Sequence, residues 1–179
     1  GKRGTGANAS QNESIACVMC EPGTFQSVVG QLFCTPCAAG KYRVAHVPSA
    51  RQEGQACRAC AAGHFSNVTA LMQCFECAAG RFQPEGGTTK CLPCSAGKYR
   101  VRHISPAQQE ALACMACSAG QYTNATASLE CAACDAGKYQ VDSGSTFCNP
   151  CSVGRAQPLM GAARCDICGQ GQYRGAHDS

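Results

Sequence analysis

The tetrapeptide Cys-x-x-Cys recurs nine times between Cys17 and Cys168 and uses all 18 cysteines of the chain. Its first cysteines fall at 17, 34, 57, 74, 91, 114, 131, 148 and 165, so each step along the numbering is either 17 or 23. Three residues after each second cysteine stands a glycine. Two residues beyond it comes an aromatic: Phe25, Tyr42, Phe65, Phe82, Tyr99, Tyr122, Tyr139 and Tyr173, with Ala156 the exception. A repeat at this period excludes most globular architectures. It predicts a one-dimensional stack in which each unit touches only its neighbours.

Composition points the same way. Leu, Ile, Val and Phe number only 24 of 179 residues, too few for a chain to condense around an apolar core unaided. Covalent closure has to substitute: one bridge across a loop of about 15 residues restricts the unfolded chain by ~3 kcal/mol. The expected fold is therefore small, disulfide-rich, mostly β-hairpin and irregular, an elongated tandem-repeat rod with little helix. Glycine at a fixed offset predicts a turn with positive φ. Segments such as 40–44 and 97–101 predict brief strands, and Pro84-Glu85-Gly86-Gly87 and Asp142-Ser143-Gly144-Ser145 predict reversals.

A longer period overlies the short one. Lys41 to Gly97 aligns without a gap on Lys98 to Gly154, with about half of the positions identical, which defines a 57-residue super-repeat. The step from Cys148 to Cys165 is 17 where the phase calls for 23. The extra six residues of the longer units carry Ser-x-x-Gln capping boxes at Ser49 to Gln52 and Ser105 to Gln108, which suit one helical turn, the alternative being an irregular surface bulge because one turn gains little on its own. The organisation expected is a flexible polar segment at 1–16, the repeats at 17–168, and the start of a further repeat at 169–179.

Two chemistries suit Cys-x-x-Cys at this spacing: tetrahedral zinc held by two successive pairs, or oxidation in an extracellular array. Nine pairs do not divide into four-thiolate sites. Four asparagines, Asn8, Asn12, Asn67 and Asn124, lie in Asn-x-Ser/Thr sequons, and Asn67 and Asn124 hold the same place in two super-repeats. Both features favour disulfides and N-linked glycans. Redox-active thiols would need a βαβ setting that the chain lacks.

The Cys-x-x-Gly-x-Tyr/Phe loop closing on the next Cys-x-x-Cys resembles the ephrin-receptor-like and tumour-necrosis-factor-receptor-like cysteine-rich (EGF-like) repeats, from Cys17 to about Tyr173. The resemblance implies bridges Cys20 to Cys34, Cys37 to Cys57, Cys60 to Cys74, Cys77 to Cys91, Cys94 to Cys114, Cys117 to Cys131, Cys134 to Cys148 and Cys151 to Cys165. A crossed alternative joins Cys17 to Cys34 and Cys20 to Cys37. The loop pairing leaves Cys17 and Cys168 unpaired, open to flanking repeats or to an inter-chain bond. The resemblance also implies an extracellular or cell-surface protein. Its arrays occur in animal receptors and in surface and fibre proteins, flagellar hairs among them.

No catalytic motif recurs. His46, His64, His103 and His177 have no second metal ligand repeating beside them, and neither a nucleophile elbow nor a phosphate loop is present. The net charge of +4 is spread over many units without a phosphate-tracking stripe, so nucleic acid is not an expected partner. No apolar run reaches membrane-span length. The chain begins at Gly1 without an apolar leader, which reads as a processed product or a fragment. The function expected is structural and non-catalytic, without cofactor or metal: a secreted glycoprotein rod or part of a surface filament, acting through protein contacts and self-assembly. The alternatives are a receptor ectodomain that binds a ligand and a multi-zinc protein. If Cys168 joins Cys17 of the next copy, non-reducing electrophoresis shows a ladder of multimers that collapses on reduction. A monomer under both conditions removes that bond.

Overall fold

The computed structural model describes residues 2–4, 17–44, 56–101 and 113–172. They fall in two compact units, residues 1–77 with 83–91 and residues 78–82 with 92–179. The expected helical turns over Ser49 to Gln52 and Ser105 to Gln108 lie outside the described residues. Among the described residues every strand is two or three residues long and pairs in an antiparallel hairpin, and Tyr42 and Tyr99 each add a parallel bridge, to Leu71 and Ser128.

The repeat dictates the hairpin. The residue after each glycine and the aromatic that follows make the outgoing strand. The two residues between the cysteines of the next pair make the return. In the first unit Thr24–Phe25 pairs with Thr35–Pro36, Lys41–Tyr42 with Arg58–Ala59, and His64–Phe65 with Phe75–Glu76. In the second unit the same rule pairs Arg81–Phe82 with Leu92–Pro93, Lys98–Tyr99 with Met115–Ala116, and Gln121–Tyr122 with Ala132–Ala133. Lys138–Tyr139 with Asn149–Pro150 and Arg155–Ala156 with Asp166–Ile167 complete it. Lys2–Gly4, in the segment expected to be flexible, pairs with Cys17–Met19.

Glycine three residues after the loop-opening cysteine is fixed by backbone geometry. In the turn Glu21-Pro22-Gly23-Thr24 the Thr24 amide donates to the Glu21 carbonyl at 3.1 Å, and Gly23 has φ +79°. Glycine at the third position with φ near +80° is the type II turn, and proline suits the second position. The same glycine also ties loop to loop. Its amide donates to the carbonyl of the residue after the next aromatic, Gly40 to Ser66 at 2.8 Å in the first unit and Gly97 to Thr123 at 2.8 Å in the second. Its carbonyl accepts the amide of the next loop-opening cysteine, Cys60 to Gly40 at 2.9 Å and Cys117 to Gly97 at 2.9 Å.

Contacts run further than the nearest neighbour. Gly23 lies under the Ala70 carbonyl and Gly40 under that of Gly87, and in the second unit Gly80 and Gly97 lie under Ala127 and Gly144. Each of these pairs is two loops apart. The expectation that a unit touches only its neighbours is therefore corrected. A bare α-carbon lets the backbone two loops on approach where a side chain would block it.

The interior is mostly cystine and polar side chain, with Phe25, Phe82, Ala56 and Ala113 as its few buried apolar groups. Cys37, Cys60, Cys94, Cys117 and Cys134 are at most 1% exposed. Around them sit Gln26, Arg43, Ser66, Gln83, Arg100, Thr123 and Gln140, all buried and all directly following the aromatic position. Burial of such groups is tolerated only when they are hydrogen-bonded. In the first loop of each three-loop super-repeat the residue is a glutamine acting as a strut. Gln83 Nε2 donates to the Lys90 carbonyl at 2.7 Å while its Oε1 accepts the Glu85 amide at 3.1 Å, and Gln140 joins Phe147 and Asp142 in the same way. In the long loops the residue is arginine: Arg100 Nη1 donates to the Ala78 carbonyl at 3.0 Å and to the Arg81 carbonyl at 2.8 Å. In the third loop of each triplet it is a hydroxyl, with Ser66 Oγ donating to the Val68 carbonyl at 2.8 Å. At Gln157 the short-loop strut appears where the phase calls for arginine, which matches the shortened step to Cys165.

Two substitutions separate crowding from backbone strain. Gly80 and Gly154 have φ of +73° and +76°, but a Cβ on Gly80 would overlap the Ala127 carbonyl while one on Gly154 meets nothing within 4 Å. Gly154→Ala is expected to cost ~1 to 2 kcal/mol from the left-handed backbone alone. Gly80→Ala costs several times more, read as a much larger fall in thermal midpoint. Equal falls would contradict the second-neighbour contact. A further expectation is that Gln83→Ala lowers stability by ~1 to 3 kcal/mol, since it removes two part-buried hydrogen bonds, to the Lys90 carbonyl and from the Glu85 amide.

Candidate functional site

The cysteines decide what surface the repeats can present. Eight disulfides join Cys20–Cys34, Cys37–Cys57, Cys60–Cys74, Cys77–Cys91, Cys94–Cys114, Cys117–Cys131, Cys134–Cys148 and Cys151–Cys165. Sequence separations are 14 in the short loops and 20 in the long ones, yet the Cα–Cα distance stays between 5.6 and 5.8 Å. The extra residues of the long loops are thus accommodated without altering the closure. A cystine sulfur is not a thiolate, so these sixteen cysteines offer no metal ligands. No group of three or more His, Cys, Asp or Glu side chains converges among the described residues.

Cys168 is a free, half-buried thiol. Its amide donates to the Gly154 carbonyl at 3.0 Å, the bond that every loop-opening cysteine from Cys37 to Cys151 makes to the glycine before it. Cys17 aligns through its backbone with Gly4; its side chain lies outside the described residues. Asn8, Asn12, His46, His103, Tyr173 and His177 also lie outside them.

Asn67 and Asn124 are exposed, each directly after the buried hydroxyl of the third loop of its triplet. Those two loops also hold the non-glycine residues with positive φ among the described residues, Ala70 at 60° and Ala127 at 56°, each three positions past the sequon asparagine. The aromatic column packs rather than projects: Phe25 and Phe82 are buried, and Tyr42, Phe65, Tyr99, Tyr122 and Tyr139 are half-buried. Outward-facing apolar residues come instead from the loops and return strands. Val29 is 94% exposed, Val153 85%, Phe33 75% and Ile167 72%. Sequence reasoning missed both the polar interior and this apolar exterior. The Gln, Arg, Ser/Thr alternation behind the aromatic was the available signal for the first; nothing in the repeat marked the second. Among the described residues no helix is long and apolar enough to cross a membrane.

Comparison with known proteins matches residues 6–53, 63–110 and 120–164 to the family described as tyrosine-protein kinase ephrin type A/B receptor-like. The human signal peptide, CUB and EGF-like domain-containing protein 2 is 31% identical over 62% of this chain and 11% of its own length. Its mouse counterpart is 29% identical over 70% of this chain and 12% of its own length. The chain thus spans only a small part of these relatives.

Alkylation of the folded chain without reductant is expected to label Cys168 and leave the sixteen bridged cysteines untouched. Labelling of Cys60, Cys94 or Cys117, among the most buried of them, would contradict the ladder.

Proposed function

The chain belongs to the ephrin type A/B receptor-like family of cysteine-rich repeats, and from that premise we propose that it is a non-catalytic structural array of an extracellular glycoprotein, working through protein contacts that include self-assembly into a surface fibre. The extracellular setting follows from the family and the disulfides. One observation carries the rest. The interior is filled mainly by cystine, backbone bonds and polar struts, with few apolar side chains besides Phe25 and Phe82, while large apolar side chains such as Val29, Phe33, Val153 and Ile167 face outward. Catalysis needs a concave site with converging polar groups. A lattice of two-residue strands spends its polar groups on holding itself together.

The sequons belong to the same reading. Asn67 and Asn124 are exposed and occupy one place in successive triplets, which suits N-linked glycans as a regular surface decoration. Enzymatic deglycosylation in heavy-oxygen water is expected to convert both to labelled aspartate in protein secreted from eukaryotic cells. Unlabelled asparagine at both sites would remove the glycans from the proposal.

Electron microscopy of the native material tests the function itself. Polymerised fibres containing this chain support the structural reading. Dispersed particles overturn the self-assembling fibre and turn attention to the receptor ectodomain, which requires a membrane span elsewhere in the full protein.

A further inference from the structure

The first unit contains an open depression of about 520 Å³ between the strand Lys41–Tyr42 and the hairpin of His64–Phe65 with Phe75–Glu76. Tyr42 and Phe75 supply aromatic surface, and His64 and Glu76 stand beside each other on the lining. Phe75 is 46% exposed, and its ring is held by Phe65 at a centroid separation of 5.8 Å and a tilt of 46°.

The imidazole and the carboxylate make an incomplete pair. His64 Nδ1 faces the Ala62 carbonyl at 3.4 Å, while Nε2 faces Glu76 Oε1 at 3.9 Å. Nε2 and Oε1 stand across a gap too long for a hydrogen bond, beside exposed aromatic surface. A planar cation rich in N–H donors meets the Glu76 carboxylate and stacks on the rings at once.

We propose that this depression receives an arginine side chain of a protein partner. The proposal deepens the protein-contact reading above and rests on it. Charge complementarity favours this occupant, since with histidine counted neutral the Glu76 carboxylate is the one formal charge on the lining. The second triplet is a built-in control. Its equivalent positions keep Tyr99, but Gln121, Ala132 and Ala133 replace the imidazole, the phenyl ring and the carboxylate.

The test is a titration of the full secreted chain, with labelled aromatic residues, by N-acetyl-arginine amide and followed by NMR. Saturable shifts are expected at Tyr42, His64 and Phe75 with a dissociation constant on the order of millimolar, and none at Tyr99. Phe75→Ala and Glu76→Gln, both at exposed return-strand positions, should each weaken binding by about 3- to 10-fold. The neutral isostere N-acetyl-citrulline amide should leave the spectrum unchanged. The proposal is overturned by no saturable shift at Tyr42, by equal shifts at Tyr99, or by an equal response to citrulline. A chain with intact bridges that ignores arginine loses this site alone and leaves the scaffold reading standing.

Discussion

Both backbone polar groups of one glycine per repeat are spent on the next repeat, and the rest of the structure depends on this arrangement. Gly40 donates to Ser66 and accepts from Cys60, and Gly97 does the same with Thr123 and Cys117. Strands of two residues cannot form a sheet of their own that survives in water. Here each hairpin is held instead by a disulfide behind it, a disulfide ahead of it, and two glycine bonds between. The left-handed φ is what lets one residue direct its amide and its carbonyl to different places in the adjoining loop. The missing side chain leaves room for a carbonyl from two loops on.

Polar residues occupy the interior for the same reason. A short loop, such as the one closed by Cys77 and Cys91, has too few apolar side chains to fill its own centre, and its chain reversals leave carbonyls and amides pointing inward. A glutamine satisfies one of each within its own loop, as Gln83 does from Lys90 to Glu85. A long loop needs a longer reach, and Arg100 extends into the preceding loop to meet the Ala78 and Arg81 carbonyls. The three-loop period is therefore a period of struts, with Gln, Arg and Ser/Thr in rotation. It lends the super-repeat a physical meaning beyond sequence identity.

Much of this was legible beforehand. Cysteine spacing, the glycine offset and the aromatic after it predicted hairpins, because each residue type serves one local geometric need. Buried Gln26, Arg43 and Gln140 were not legible, since such residues ordinarily face water and their partners are backbone atoms that leave no mark in the sequence. The contact between Gly23 and the Ala70 carbonyl was hidden likewise: a close approach of two backbones is written only as the absence of a side chain. The depression at Tyr42 needed Phe75 and Glu76 to be placed opposite it by the register of a hairpin, which the repeat alone does not single out.

Amide hydrogen exchange measures the central claim most directly. If the glycine lattice holds the loops together, the amides of Gly40, Gly63, Gly97 and Gly120 and of Cys60, Cys94, Cys117 and Cys134 exchange most slowly in the chain. The amides of Val29, Thr69 and Ser143, at loop tips, exchange fastest. Glycine and cysteine amides that exchange as fast as those tips would contradict the account, and would leave the disulfides as the sole support of each loop.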